Sequence, residues 1–133
     1  METKQVIVIR KDLKMRRGKE IAQGSHATMS FLTRRIGKCK ALRFVKLLWV
    51  VFKLTKEEKQ WLETSYKKIC LSVNSEDELF EIYDKAKAFG LEVHLVTDSG
   101  LTEFKGVPTN TCLAIGPHES SRIDVITGHL PLY

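Results

Sequence analysis

The sequence predicts a single α/β sandwich domain of 133 residues. Three observations carry that expectation. Short apolar runs of strand character alternate with segments of helical period. Two of the helical segments open on a Ser/Thr-x-x-Glu spacing, Thr55 to Glu58 and Ser75 to Glu78, which is the pattern of a capping box. The length suits one compact domain, and no Pro/Gly/Ser linker, repeat or low-complexity tract divides it.

The elements follow in order. Gln5–Arg10 is β-branched and closed by charge, and reads as a buried strand. Lys11–Arg17 is a basic turn ahead of Gly18. From about residue 19 to 34 the period becomes helical, with Ile21, Ala22, Ser25, Met29 and Leu32 expected on the core side. Lys19, Gln23 and His26 fall on a different stripe. Residues 34–46 carry six cations, Arg34, Arg35, Lys38, Lys40, Arg43 and Lys46, and the run Leu47–Phe52 follows. Ala41, Leu42, Val45, Leu48, Trp49 and Phe52 fit one helical stripe there, expected to pack on the domain or on a second subunit. The helix opened by Thr55 carries Trp61 and Leu62. Ile69–Val73 is the second strand. The helix opened by Ser75 buries Leu79, Ile82, Tyr83, Ala86 and Phe89, and Gly90 ends it. Val93–Val96 is the third strand and Thr97–Pro108 a polar loop. Thr111–Ile115 is the fourth strand, stopped by Gly116–Pro117. A short helix, Ser120–Ile126, and a tail, Leu130–Tyr133, close the chain.

Composition excludes several classes. With 43% hydrophobic and 29% charged residues, the chain has enough apolar surface to fold. The run Leu47–Phe52 falls far short of the roughly 20 residues of a membrane span. Val6–Ile9, closed by Arg10 and Lys11, is too short for a secretory leader. Three cysteines without a CxxC pair fit a reducing cytoplasm, with Cys70 and Cys112 expected in the core. His26, His94, His118 and His129 are scattered, so no metal site is expected. Walker A, GxGxxG, GxSxG and HExxH motifs are absent.

Charge is divided unevenly. Residues 1–70 hold 18 Lys/Arg against 6 Asp/Glu, and residues 71–133 hold 4 against 10. The basic half suits a polyanion, nucleic acid first and an acidic membrane surface second.

Two constellations remain that can carry chemistry. One is Lys19, Gln23 and His26 on a single helix stripe; the other is Thr97–Thr102, just beyond a strand's C-terminal end, where α/β sheets bind ligands. Lys19 and Asp98 converge on one rim if strands 1 and 3 run parallel. On spacing alone, a solvated polar face and an Asx turn at Asp98 are the simpler explanations.

Four blocks in order give a further reading. Residues 14–27, KMRRGKEIAQGSHA, resemble the Lys-Gly-Lys helix start and Gln-x-Ser-His-Ala segment of the archaeal and eukaryotic type of peptidyl-tRNA hydrolase. Residues 95–104, LVTDSGLTEF, are similar to that family's Asp-Ala-Gly-x-Thr loop. Residues 111–117, TCLAIGP, and 123–133, IDVITGHLPLY, resemble its Thr-x-Leu-Gly-Ile-Gly-Pro strand end and its Thr-Gly-His-Leu-x-Leu terminus. The resemblance implies a three-layer α/β/α sandwich on a four-stranded mixed sheet, a homodimer, and no metal or organic cofactor. It implies hydrolysis of the ester joining peptide to tRNA, with a non-catalytic RNA- or protein-binding adaptor as the alternative. Lys19, Asp98 and Thr102 are its catalytic candidates. Gln23, Thr111 and His26, with Lys14, Arg16 and Arg17 of the basic turn, are its substrate-binding candidates. Leu101 stands where the family usually has Arg. Residues 1–133 form one such domain, with residues of about 36–58 longer and more apolar than the usual connection.

Overall fold

The computed structural model describes residues 1–39 and 42–133. Lys40 and Ala41 lie outside the described residues, and with them the expected place of Ala41 on a helical stripe.

The chain runs β1 (Thr3–Arg10), α1 (Arg17–Lys38), α2 (Arg43–Phe52), α3 (Lys56–Glu63), β2 (Lys68–Val73), α4 (Glu76–Ala88), β3 (Val93–Asp98), β4 (Thr109–Glu119) and α5 (Ser120–Thr127). The four strands form one mixed sheet in the order β2-β1-β4-β3. β1 pairs parallel with β2 and antiparallel with β4. β3 also pairs antiparallel with β4. β1 and β3 therefore point the same way, the condition under which Lys19 and Asp98 share a rim.

β1 explains the layers. Side chains of a strand alternate between faces. Val6 and Val8 join Leu79, Ile82, Leu113, Ile115, Ile123 and Ile126 in the larger core, beneath α4 and α5. Ile7 and Ile9 join Ala27, Val96, Cys112 and Ala114 on the opposite face, beneath α1. Both faces are covered, so the run is continuously apolar. The result is the expected α/β/α sandwich.

Local signals place the helices. Thr55 and Glu58 form the full capping box of α3. Ser75 accepts from Glu78 N, but the Glu78 carboxylate reaches back to Asn74 N, one residue before the expected partner. Gly90 has φ +78°, the left-handed conformation that ends α4.

Several expectations are corrected. The apolar stripe of α1 does not face the sheet: Ile21 is 64% and Met29 50% exposed, whereas Gln23, Ala27, Ser30 and Phe31 are buried. Ala27 and Ser30 are small enough to let the helix lie close to β4 and β3, and its apolar side overhangs the part of the sheet it leaves open. There Ile7, Ile9, Ile21, Gly24, Met29, Cys70 and Tyr133 line a groove of about 470 Å³. Cys70 is consequently exposed, not core, whereas Cys112 is buried. β4 runs through Gly116–Pro117 instead of stopping there, because Thr3 and Lys4 pair with Glu119 and His118 beyond it. Tyr83 is half-buried and Phe89 lies 39% exposed under the Arg122 guanidinium, so the α4 stripe is narrower than expected. On α2 the side of Val45, Leu48 and Phe52 faces outward and does not pack on this domain, the first of the two alternatives expected for it; Val50 is the buried residue.

Candidate active site

The site is built where the first turns of α1 meet the C-terminal end of β3. Lys19 projects from α1. Asp98 is the last residue of β3. Lys19 Nζ donates to Asp98 Oδ1 at 2.7 Å and to Thr102 Oγ1 at 2.8 Å. Gln23, one helical turn on from Lys19, donates its amide to the same Asp98 oxygen at 3.3 Å. Thr111, on β4, donates to Gln23 Oε1 at 2.5 Å. A carboxylate only accepts, so Gln23 must turn its NH2 toward Asp98 and its oxygen toward Thr111.

Asp98 is also the Asx-turn residue that its spacing suggested. Its Oδ2 accepts from Gly100 N at 2.9 Å, which folds the loop back over the strand end. Gly100 has φ +84°, and a Cβ there would lie 2.2 Å from Val107 O, so the turn demands glycine. The carboxylate thus ties down its own loop and holds a cation from another layer.

Electrostatics follow from these contacts. The hydrogen bond from Lys19 holds the Asp98 carboxyl below its ordinary range, outweighing the opposing effect of partial burial; the Gly100 and Gln23 bonds add to it. The Lys19 and Asp98 side chains are only 14% and 12% exposed, which limits solvent screening of the pair. Lys19 Nζ also lies 5.8 Å from the Phe104 ring centroid. An ammonium has three N–H donors, and Asp98 and Thr102 take two. The third is available at the rim.

The expected residues separate into groups. Lys19, Asp98, Thr102, Gln23 and Thr111 come together. Thr111 is fully buried and Gln23 nearly so, so they stand behind Lys19 and Asp98. Lys14 and Arg16 stand exposed in the turn beside it, and Arg17 at the first position of α1, with Arg16 Nε 3.8 Å from a Glu103 carboxylate oxygen. His26 is exposed two turns along α1 and makes no side-chain hydrogen bond among the described residues. Leu101 is 85% exposed at the loop tip. Gly100, Glu103 and Phe104 are the participants that motif reading did not single out. The signal for Gly100 was the Asp-Ser-Gly turn itself; nothing local marks Phe104 as a neighbour of Lys19. Among the described residues no group of three His, Cys, Asp or Glu side chains is arranged to hold a metal.

Comparison with known proteins identifies the family. The family model described as peptidyl-tRNA hydrolase PTH2 matches residues 3–133. A peptidyl-tRNA hydrolase of Methanocaldococcus jannaschii is 42% identical over 130 residues, covering 97% of this chain and 98% of its own. One from Methanothermobacter thermautotrophicus is 43% identical over 131 residues, with the same two coverages. A probable peptidyl-tRNA hydrolase 2 of Dictyostelium discoideum is 39% identical over 134 residues, covering 99% of this chain and 55% of its own. A solved protein of unknown function from Agrobacterium shares the fold alone, with a TM-score of 0.56 at 10% identity, covering 100% of this chain and 98% of that one. By sequence along nearly its whole length, the chain belongs to the peptidyl-tRNA hydrolase PTH2 family.

Proposed function

We propose that the chain hydrolyses the ester between a peptide and the 3′ ribose of its tRNA, using Lys19 and Asp98 as one unit. The observation that carries this reading is the Lys19 ammonium fixed between Asp98 and Thr102 with one donor left over. A water adds to the ester carbonyl, the carbon–O3′ bond breaks, and the ribose oxygen leaves with a proton. The free Lys19 donor stabilises the negative charge that develops on the carbonyl oxygen. Asp98, held as a carboxylate, orients the water and the lysine. Gln23 and Thr111 are positioning residues, because their burial leaves little surface for a substrate. Lys14, Arg16 and Arg17 contact tRNA phosphates, and salt weakens that binding. His26 lies on the exposed side of the same helix and supports α1 or lines the tRNA path.

The reaction takes place in the cytoplasm and the enzyme works as a homodimer. Support for the dimer is the open groove lined by Ile21, Met29 and Tyr133, an apolar surface that a second copy would cover.

The test is release of tRNA from purified peptidyl-tRNA, set against aminoacyl-tRNA and small esters. Selective turnover of peptidyl-tRNA is expected. Binding without turnover would favour an adaptor, and turnover of small esters alone would assign another substrate.

A further inference from the structure

Helix α2 is attached by its less apolar side. Val50 is its buried residue, with Lys46 and Trp49 half-buried beside it. Phe44, Leu47, Leu48, Val51 and Phe52 are between 51% and 80% exposed. At about 100° per residue these five side chains fall within one arc roughly 140° wide, opposite Lys46. Burying a single Leu or Phe side chain is worth about 1.5–3 kcal/mol. A contiguous display of five is uncommon without a partner.

The surrounding charge identifies that partner's chemistry. Residues 21–56 contain eight Lys/Arg and no Asp or Glu. Arg35 is neutralised by Glu58 and Glu92. Lys38, Arg43, Lys53 and Lys56 are exposed around α2, two of them at its ends. A nucleic acid would match the cations but offers no apolar phase to Leu47 and Val51. An anionic bilayer offers phosphates at one depth and acyl chains just beneath. We propose that α2 lies flat on an anionic membrane surface, its five outward apolar side chains among the acyl chains and its flanking cations at the lipid phosphates.

Dimensions agree with lying on the bilayer and not across it. Ten residues of α-helix span about 15 Å, half of the hydrocarbon thickness. Lys19 belongs to the first turn of α1, whereas α2 follows its last. The intervening helix is about 28 Å long. Docking at one end leaves the Lys19–Asp98 site free at the other. The proposal does not depend on the reaction assigned to that site.

Flotation of the full chain with phosphatidylcholine vesicles, with and without phosphatidylserine, tests it. The chain should float only with the serine-lipid vesicles. Leu47→Glu with Phe52→Glu should abolish flotation and leave melting temperature and peptidyl-tRNA turnover unchanged. Arg43→Ala with Lys53→Ala should lower vesicle partition by roughly tenfold or more, and decides the matter if the apolar pair of substitutions does not fold. Absence of flotation with phosphatidylserine overturns the proposal, as does vesicle partition left unchanged by either pair. If Leu47→Glu with Phe52→Glu instead weakens tRNA binding, or halves the mass in solution, α2 serves RNA or a second copy and the proposal falls.

Discussion

Thr111 and Gln23 are joined through a buried hydrogen bond that makes Gln23 present its NH2 to Asp98. Thr111 sits on the central strand β4 and never reaches the surface. Replacing it by Val keeps the shape but leaves Gln23 Oε1 buried without its donor. The expected cost is about 1–3 kcal/mol of stability, read from denaturant unfolding. A fall in kcat with KM little changed should accompany it, and Thr111→Ser should restore both. A Thr111→Val enzyme of normal kcat would show that Gln23 needs no such support.

Lys19 and Asp98 should behave as one catalytic unit. Lys19→Ala and Asp98→Ala should each lower turnover by roughly 10²-fold or more. The double variant should be little worse than either single one, since groups acting together are not additive. Lys19→Arg keeps the positive charge, so substantial remaining activity favours charge stabilisation over proton abstraction. Multiplicative losses in the double variant would separate the two roles.

Acid should weaken the pair only late. The Asp98 carboxyl is lowered in the folded chain relative to the unfolded one. Its contribution to stability is therefore complete above the unfolded value and is lost as pH falls through the folded value. The stability gap between wild type and Asp98→Asn should be constant near neutrality and shrink across that acidic window. A gap that grew on acidification would mean the carboxyl is raised instead.

Arg35 should matter for stability and not for chemistry. It donates to both oxygens of Glu58, which is buried and belongs to the α3 capping box, and to Glu92. Burial raises the Glu92 carboxyl, but the His94 bond and the Arg35 charge outweigh it and leave it lowered. Arg35→Ala strands Glu58 without its counter-charge, for an expected loss of roughly 3–5 kcal/mol. Turnover per folded molecule should be unchanged.

Zinc chelation should leave turnover intact, provided magnesium is kept for the tRNA. The site's groups are an amine, a carboxylate, an amide and hydroxyls, without a His/Cys/carboxylate cluster among the described residues. Loss of activity restored by zinc would overturn this site.

Much of the arrangement was legible because local chemistry and topology agreed. The capping residues, the Asx turn at Asp98 and the apolar β1 each state their structure within a few residues. The face of α1 was not legible in that way. Periodicity assigns the most apolar stripe to the core, but α1 spends its inner face on Gln23, Ala27 and Ser30, over β4 and β3. Its apolar stripe was left over a groove. Cys70 was misplaced for the same reason, since one face of β2 lies under no helix there. The reach of β4 past Gly116–Pro117 depends on pairing with Thr3 and Lys4, more than 110 residues away in sequence, and no local pattern reports it. The outward apolar side of α2 likewise departs from the rule used to read it.

The first strand made is one of the two inner strands of the sheet. β1 needs β2 on one edge and β4 on the other, and Thr3 finds its partner in Glu119. During synthesis it must wait, with one hydrogen-bonding edge open, until nearly the whole chain has emerged. The proposed catalytic constellation waits with it, because Lys19 and Asp98 are 79 residues apart and Thr111 arrives later still. A polypeptide lacking β4 would lack Thr111 and the support it gives Gln23, so activity is expected only once β4 has formed. Stalled or truncated copies would display a long, sticky strand edge and belong to the cell's quality control, not to its working pool.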